Sequence, residues 1–277
     1  MVCLGGFALW ELRRADPIVD LALLKHRNFA VGNLLLFVLG FTLMGSTVLV
    51  PLFVQSLLGY TATDAGLVLS PGGFAIMLLM PITGALAAKV DSRIFIAIGL
   101  VAGALALFHM TGFDATTDYD TIVIARIYQS ISLAFLFIPI NTTATVGLPM
   151  HKSDKIFAIT NMTRNIGGSF GISVVTTILA RRQQYHQSVL VEHVSPLNHA
   201  YHATIQGIQQ SLAAHAASAS QILGLAQARL AGMMAKQALA LSFIDVFWFM
   251  GIAFLAATPL IFLLRPGKPR GGGIPVH

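Results

Sequence analysis

Six apolar stretches dominate the chain, at residues 29–54, 65–90, 94–112, 121–148, 156–180 and 243–264. Each meets or nearly meets the roughly 20 residues that carry an α-helix across about 30 Å of hydrocarbon. No water reaches that layer, so backbone N–H and C=O groups must pair within their own segment. That requirement selects helices, and the stretches are too long for barrel strands. A composition of 56% hydrophobic and 10% charged residues, with mean hydropathy +0.77, sets the chain apart from soluble domains. The sequence predicts an all-α membrane protein organised as a six-transmembrane-helix bundle.

Charge distribution predicts its orientation. If the C-terminus is cytoplasmic, the inner segments hold Arg13, Arg14, Lys25, Arg27, Lys89, Arg93, Lys152, Lys155, Arg265, Lys268 and Arg270. The short outer loops at 55–64 and 113–120 hold no basic residue, and the second carries Asp114, Asp118 and Asp120. This is the positive-inside pattern, so the +6 net charge speaks of topology and excludes a nucleic-acid surface. Cys3 is the single cysteine, which rules out an internal disulfide or a cysteine metal cluster. Residues 1–28 read as a truncated helix end, at Met1 to Trp10, with a cytoplasmic linker. The segment 29–180 holds spans one to five. Residues 181–241, rich in Ala, Gln and His, read as a long extracytoplasmic amphipathic loop. Span six follows at 242–264, and 265–277 reads as a disordered cytoplasmic tail.

The spans divide three plus three with opposite topology, the arrangement of an inverted repeat in secondary transporters. Polar residues concentrate in spans one, two, four and five, whereas spans three and six are almost wholly apolar. Polar groups in a bilayer turn toward protein or water. The first set is therefore expected to line a cavity and the second to face lipid.

None of the eleven carboxylates lies near the middle of a span, but Arg164 does. It sits nine residues, about 13 Å, from the inner end of span five. Two readings fit it: a cavity cation for anionic or polar substrate groups, or a structural arginine bonded to carbonyls within the bundle. Asn161 and Asn165 flank it one turn apart, and Gln129 and Asn141 are placed across from it. For each of these, substrate contact and interhelical hydrogen bonding are equally open. Arg126, nearer the outer end, reads as paired with the interface or Asp120. Gly167, Gly168 and Gly171 read as helix-packing positions. Pro71, Pro81 and Pro139 read as hinges or static kinks. His199 and His202 have helical metal spacing but no third ligand, so no metal is expected. Signatures for phosphate loops, zinc hydrolases or serine nucleophiles are missing, so no enzyme is expected.

Several motifs carry a resemblance. The run Arg164-Asn165-Ile166-Gly167-Gly168-Ser169-Phe170-Gly171 resembles the fifth-helix signature of the C-terminal bundle in fourteen-helix drug:proton antiporters of the major facilitator superfamily. Val50-Pro51-Leu52-Phe53-Val54-Gln55 followed by Gly59-Tyr60-Thr61-Ala62-Thr63-Asp64 is similar to that branch's first outer hairpin. Leu69-Ser70-Pro71-Gly72-Gly73 is similar to its second helix. The inner loop from Gly84 to Arg93 follows the superfamily motif, with Ala88 where an acid belongs. The resemblance implies half of a proton-coupled multidrug exporter in a bacterial inner membrane. It would act on small amphipathic or lipophilic drugs, need no cofactor, and use a proton gradient as energy source. It would rock against an N-terminal half that carries the coupling acids. The outer segment could also dock a periplasmic adaptor protein. A different reading is a non-transporting truncated membrane protein that serves as an assembly partner.

Overall fold

The computed structural model describes residues 20–87, 89–192, 199–212 and 219–265. The expected helix end at 1–10 and the tail beyond 265 lie outside these residues. Seven α-helices appear: α1 (Arg27–Ser56), α2 (Ala62–Ala87), α3 (Ser92–Met110), α4 (Tyr119–Thr145), α5 (Ser153–Glu192), α6 (His199–Leu212) and α7 (Ala219–Ala257). Among the described residues there is no strand.

Local chemistry sets the helix ends. Thr61 precedes α2, and its hydroxyl accepts from the Asp64 amide at 3.2 Å. Asp64 in turn accepts from the Thr61 amide at 3.1 Å. This reciprocal pair satisfies donors that the first turn leaves free, and Asp64 serves as its returning member. The turn between α1 and α2 needs a positive φ of 76° at Gly59, a conformation that side chains oppose. Asp91 caps α3 by accepting from the Arg93 amide at 3.1 Å.

Five helical segments are long and apolar enough to cross a membrane: Arg27–Ser56, Ala62–Ala87, Ser92–Met110, Tyr119–Thr145 and Gln221–Leu263. Helix α5 is not among them despite its 40 residues, because Asn161, Thr163, Arg164 and Asn165 dilute its apolar half. The boundaries expected near 180 and 241 carry no break in the backbone. Helix α5 runs on to Glu192, and α7 begins at Ala219. Alanine and leucine in 222–241 keep that stretch helical, continuous with the last span.

Helix α1 packs on α5 and α4, α2 and α3 pack on α4, and α7 closes the bundle against α5 and α3. Phe53, Leu100, Phe243, Phe247 and Phe254 are fully buried between them. The free faces of α3 (Ile94, Ile98, Leu105) and α7 (Trp248, Leu255) are apolar, suited to lipid. Helix α2 departs from the expectation of a polar, cavity-lining span, since its free face is formed by Phe74, Met77, Leu78 and Ile82.

The α1–α5 contact is the tightest. A Cβ on Gly167 would strike the carbonyl of Phe37, one on Gly171 the carbonyl of Phe41, and one on Gly40 the carbonyl of Arg164. Backbone meets backbone, and only glycine allows it. Before α1, Asp20 caps a short 3-10 turn (Leu21–Lys25) and accepts from Lys152 Nζ at 2.7 Å.

Two outcomes follow from this packing. Gly171→Val should destabilise the bundle by about 1–3 kcal/mol through overpacking, read as a lower thermal midpoint in detergent. Gly73→Ala, which meets open space, should leave the midpoint in place; equal midpoints would refute the close approach. The Lys152 hydrogen bond holds the Asp20 carboxyl below the usual carboxylate range. Its contribution is thus present above the unfolded value, near pH 4, and is lost as pH falls through the lowered folded value. A spin label at exposed Leu24 should gain mobility on that acidification, and Lys152→Met should reproduce the gain at neutral pH.

Candidate functional site

Helix α5 presents two polar surfaces. On the first, the Arg164 side chain is half-buried and donates from Nη2 to Asn161 Oδ1 at 2.8 Å. Its guanidinium lies 5.2 Å from the ring centre of Phe137 on α4, within cation–π range. Helix periodicity puts Asn161 three residues back on the same side, and Gly40 holds the α5 backbone at this level against α1. A half-buried guanidinium beside an amide oxygen and an aromatic ring suits an acceptor group on a partly apolar molecule.

The second surface is an open groove of about 660 Å³ lined by Met162, Asn165, Ile166, Ser169, Phe170 and Ser173. Asn165 is exposed there, one turn along the same helix side from the exposed Asn161. Asn161 binds the arginine, and Asn165 joins the groove. The serines and threonines of this face largely bond back to their own helix, as Ser173 does to Ser169 O at 3.0 Å. That reduces their capacity for outside partners.

Gln129 and Arg126 sit elsewhere than the sequence suggested. Both are buried, with 1% and 6% of their surface exposed, inside the α1–α4 contact. Arg126 does not reach Asp120. Its Nη1 donates to Ser46 Oγ at 3.0 Å and to Gln129 Oε1 at 2.5 Å, and its Nη2 to Thr47 Oγ1 at 3.3 Å. Ser46 and Thr47 both donate onward to Leu43 O. The guanidinium therefore drains through two hydroxyls into one carbonyl, with no carboxylate beside it among the described residues. Its Nε and the Gln129 Nε2 have no partner. Ser46 and Thr47 of α1 and Arg126 and Gln129 of α4 thus form a buried network. The signal available in the sequence was Arg126-x-x-Gln129, one turn apart, opposite the Ser46-Thr47 pair of span one.

Asn141 donates to Phe137 O on its own helix at 2.7 Å, two residues past the buried Pro139, while Pro71 lies beside Gly72 at the α2–α4 contact. No group of three metal-ligating residues occurs among the described residues. One cluster escaped sequence reading: Asp245 of α7 accepts from both Arg182 and His186 of α5. The buried stripe Gly168, Gly171, Val175, Leu179 has helical spacing, and Arg182 and His186 continue it.

The buried network yields a sharp outcome. Gln129→Leu leaves the Arg126 charge without its amide partner and should cost about 1–3 kcal/mol. Adding Arg126→Met removes the charge and should restore most of that loss, because an apolar replacement of a buried cation is well tolerated. Thermal midpoints of the two single variants and the double variant measure this, and simple additivity would contradict the network.

Residues 6–172 match the sequence profile of the Major Facilitator Superfamily. Over 96% of its length the chain is 30% identical to the multidrug export protein EmrB of Haemophilus influenzae. It is 32% identical over 99% to the fatty acid resistance protein FarB of Neisseria gonorrhoeae, and 31% identical over 99% to EmrB of Escherichia coli. The chain spans about half the length of these relatives, 51–52%. Family members are transporters rather than enzymes, and helices apolar enough to span identify an integral membrane protein. The chain belongs to the major facilitator superfamily.

Proposed function

We propose that the chain forms one six-helix half of a proton-coupled multidrug exporter, with α5 as the sixth span beside the five apolar ones. The observation that carries this reading is Arg164. It is a cation at the depth of the bundle centre, framed by Asn161 and Phe137 on a helix whose neighbouring face is an open groove. An intramembrane cation costs several kcal/mol and is by default a mark of a functional site. In this reading Arg164, Asn161 and Asn165 bind the polar part of an amphipathic or lipophilic compound. Gln129 belongs to the buried Arg126 network and Asn141 to its own helix, so neither is assigned to the binding face, and the free faces of α2 and α5 meet an N-terminal half. The two halves rock about the site, with the C-terminus cytoplasmic and the coupling acid on the other half. Similarity to multidrug and fatty acid resistance proteins supports export of small amphipathic molecules.

The test is a chimera in which this chain replaces the C-terminal half of a full-length relative. Arg164→Ala should lower drug resistance about tenfold or more, the loss of one charge-assisted contact of 1.5–3 kcal/mol, with membrane abundance unchanged. Unaltered resistance would remove Arg164 from the site. A second reading, a non-transporting assembly partner, draws on the lack of any mid-span carboxylate among the described residues. Vesicles holding the chain alone should show no dye efflux driven by a pH gradient if the acid must come from the other half.

A further inference from the structure

Arg126 and Arg164 both lie well inside the spans, and neither forms an ion pair among the described residues. Arg126 is enclosed by neutral acceptors. Arg164 is half-buried and bonds to a neutral amide. The one carboxylate on a helix packed against α5 at depth, Asp245, is already held by Arg182 and His186. Arg182 is eighteen residues, about 27 Å, along α5 from Arg164. The other carboxylates among the described residues sit in turns or in the first or last turn of a helix. The fixed charge of the bundle interior is therefore positive.

Of the two cations, Arg164 is the accessible one. Its backbone lies against Gly40 of α1, and its guanidinium ends 5.2 Å from the Phe137 ring of α4, so its charge sits where three helices come together. A guanidinium has five N–H donors and stays charged in proteins. Asn161 Oδ1 accepts one of them, and among the described residues no second acceptor bonds it. The ring favours positive charge over its face but offers no acceptor for the remaining N–H groups. A cation partly withdrawn from water with one neutral partner is poorly compensated. A planar carboxylate would complete it, since it can accept two parallel N–H bonds from one guanidinium.

We propose that Arg164 makes this half selective for amphipathic anions, molecules with one carboxylate-like head on an apolar tail, and turns away amphipathic cations. An anionic head gains a charge-assisted contact and supplies the missing counter-charge. A neutral hydroxyl head gains an ordinary hydrogen bond, roughly half as strong. An ammonium head meets like charge, with no carboxylate of this chain beside it to offset the repulsion. Phe137 gives the part of the molecule next to the head an apolar surface. The inference rests on the transport reading and narrows its substrate class by charge.

The experiment uses three probes with the same tail: dodecanoate, dodecanol and dodecyltrimethylammonium. The full chain is placed in phosphatidylcholine nanodiscs at about pH 9, well above the carboxylate range. A ligand that binds the folded state raises the thermal midpoint with its affinity. The rise should be largest for dodecanoate and smallest for dodecyltrimethylammonium. Arg164→Gln should weaken dodecanoate about tenfold or more, to the level of dodecanol. Arg164→Glu should reverse the order, and Arg164→Lys should retain the acid preference. Comparing rises rather than midpoints removes any cost of a substitution to the fold. Equal rises for the acid and the ammonium, or an acid preference that survives Arg164→Gln, overturn the inference. So does a stabilisation by phosphatidylglycerol discs that needs Arg164 and leaves no room for dodecanoate, which assigns the site to membrane lipid. A chimera whose resistance ignores Arg164→Ala, beside an intact acid preference in the discs, would sink the transport reading alone. A chimera that needs Arg164, beside no acid preference, would sink this inference alone.

Discussion

Helices α1 and α5 meet backbone to backbone at Gly40, Gly167 and Gly171, and this approach decides which side of α5 stays open. A side chain at any of these positions would meet partner backbone and force the two helices apart. In a bilayer such contacts owe little to the hydrophobic effect, because lipid is as apolar as leucine. Close packing and interhelical hydrogen bonds are what remain. The glycine contact thus anchors the fold and aims the site at the same time.

Helix existence was legible in the sequence because the length of an apolar stretch is a local property. The partner of each helix was not, since it depends on rotation about the helix axis. Gln129 shows the difference: its depth in span four could be counted, but its turn toward Ser46 and Arg126 could not. The same holds for Asp245, which reads as a polar residue near a span end until α5 is seen to extend past 180 and bring Arg182 and His186 beside it. The helical periodicity expected around Ile222, Leu225 and Leu230 joins the last span in one helix, Ala219–Ala257, because glutamine and arginine dilute hydropathy without ending a helix. Nothing in 222–241 disfavours helical backbone as proline would.

A count of polar residues also overstates how much polarity a span offers. Thr142 bonds to Ile138 O, Thr145 to Asn141 O, Thr160 to Ile156 O and Thr176 to Ile172 O. These hydroxyls are satisfied within their own helix, so spans rich in serine and threonine need not face water. What distinguishes α5 is the set of groups without such an outlet: Arg164 held by a side chain rather than a carbonyl, and Asn165 in the open groove. The contrast with Arg126 is instructive. Both arginines are cations in apolar helices, yet one is enclosed by neutral acceptors and the other stands at an open face. Enclosure favours a structural role, and access favours binding.

The central claim is that this open face of α5 meets water or ligand inside a membrane. Substituted-cysteine labelling along α5, in a Cys3→Ser background and with a membrane-impermeant thiol reagent, tests it most directly. The account predicts reaction at 161, 165, 169 and 173, and protection at the buried positions 175 and 179 of the same helix. Uniform protection at 161, 165, 169 and 173, as for residues facing lipid, would contradict it.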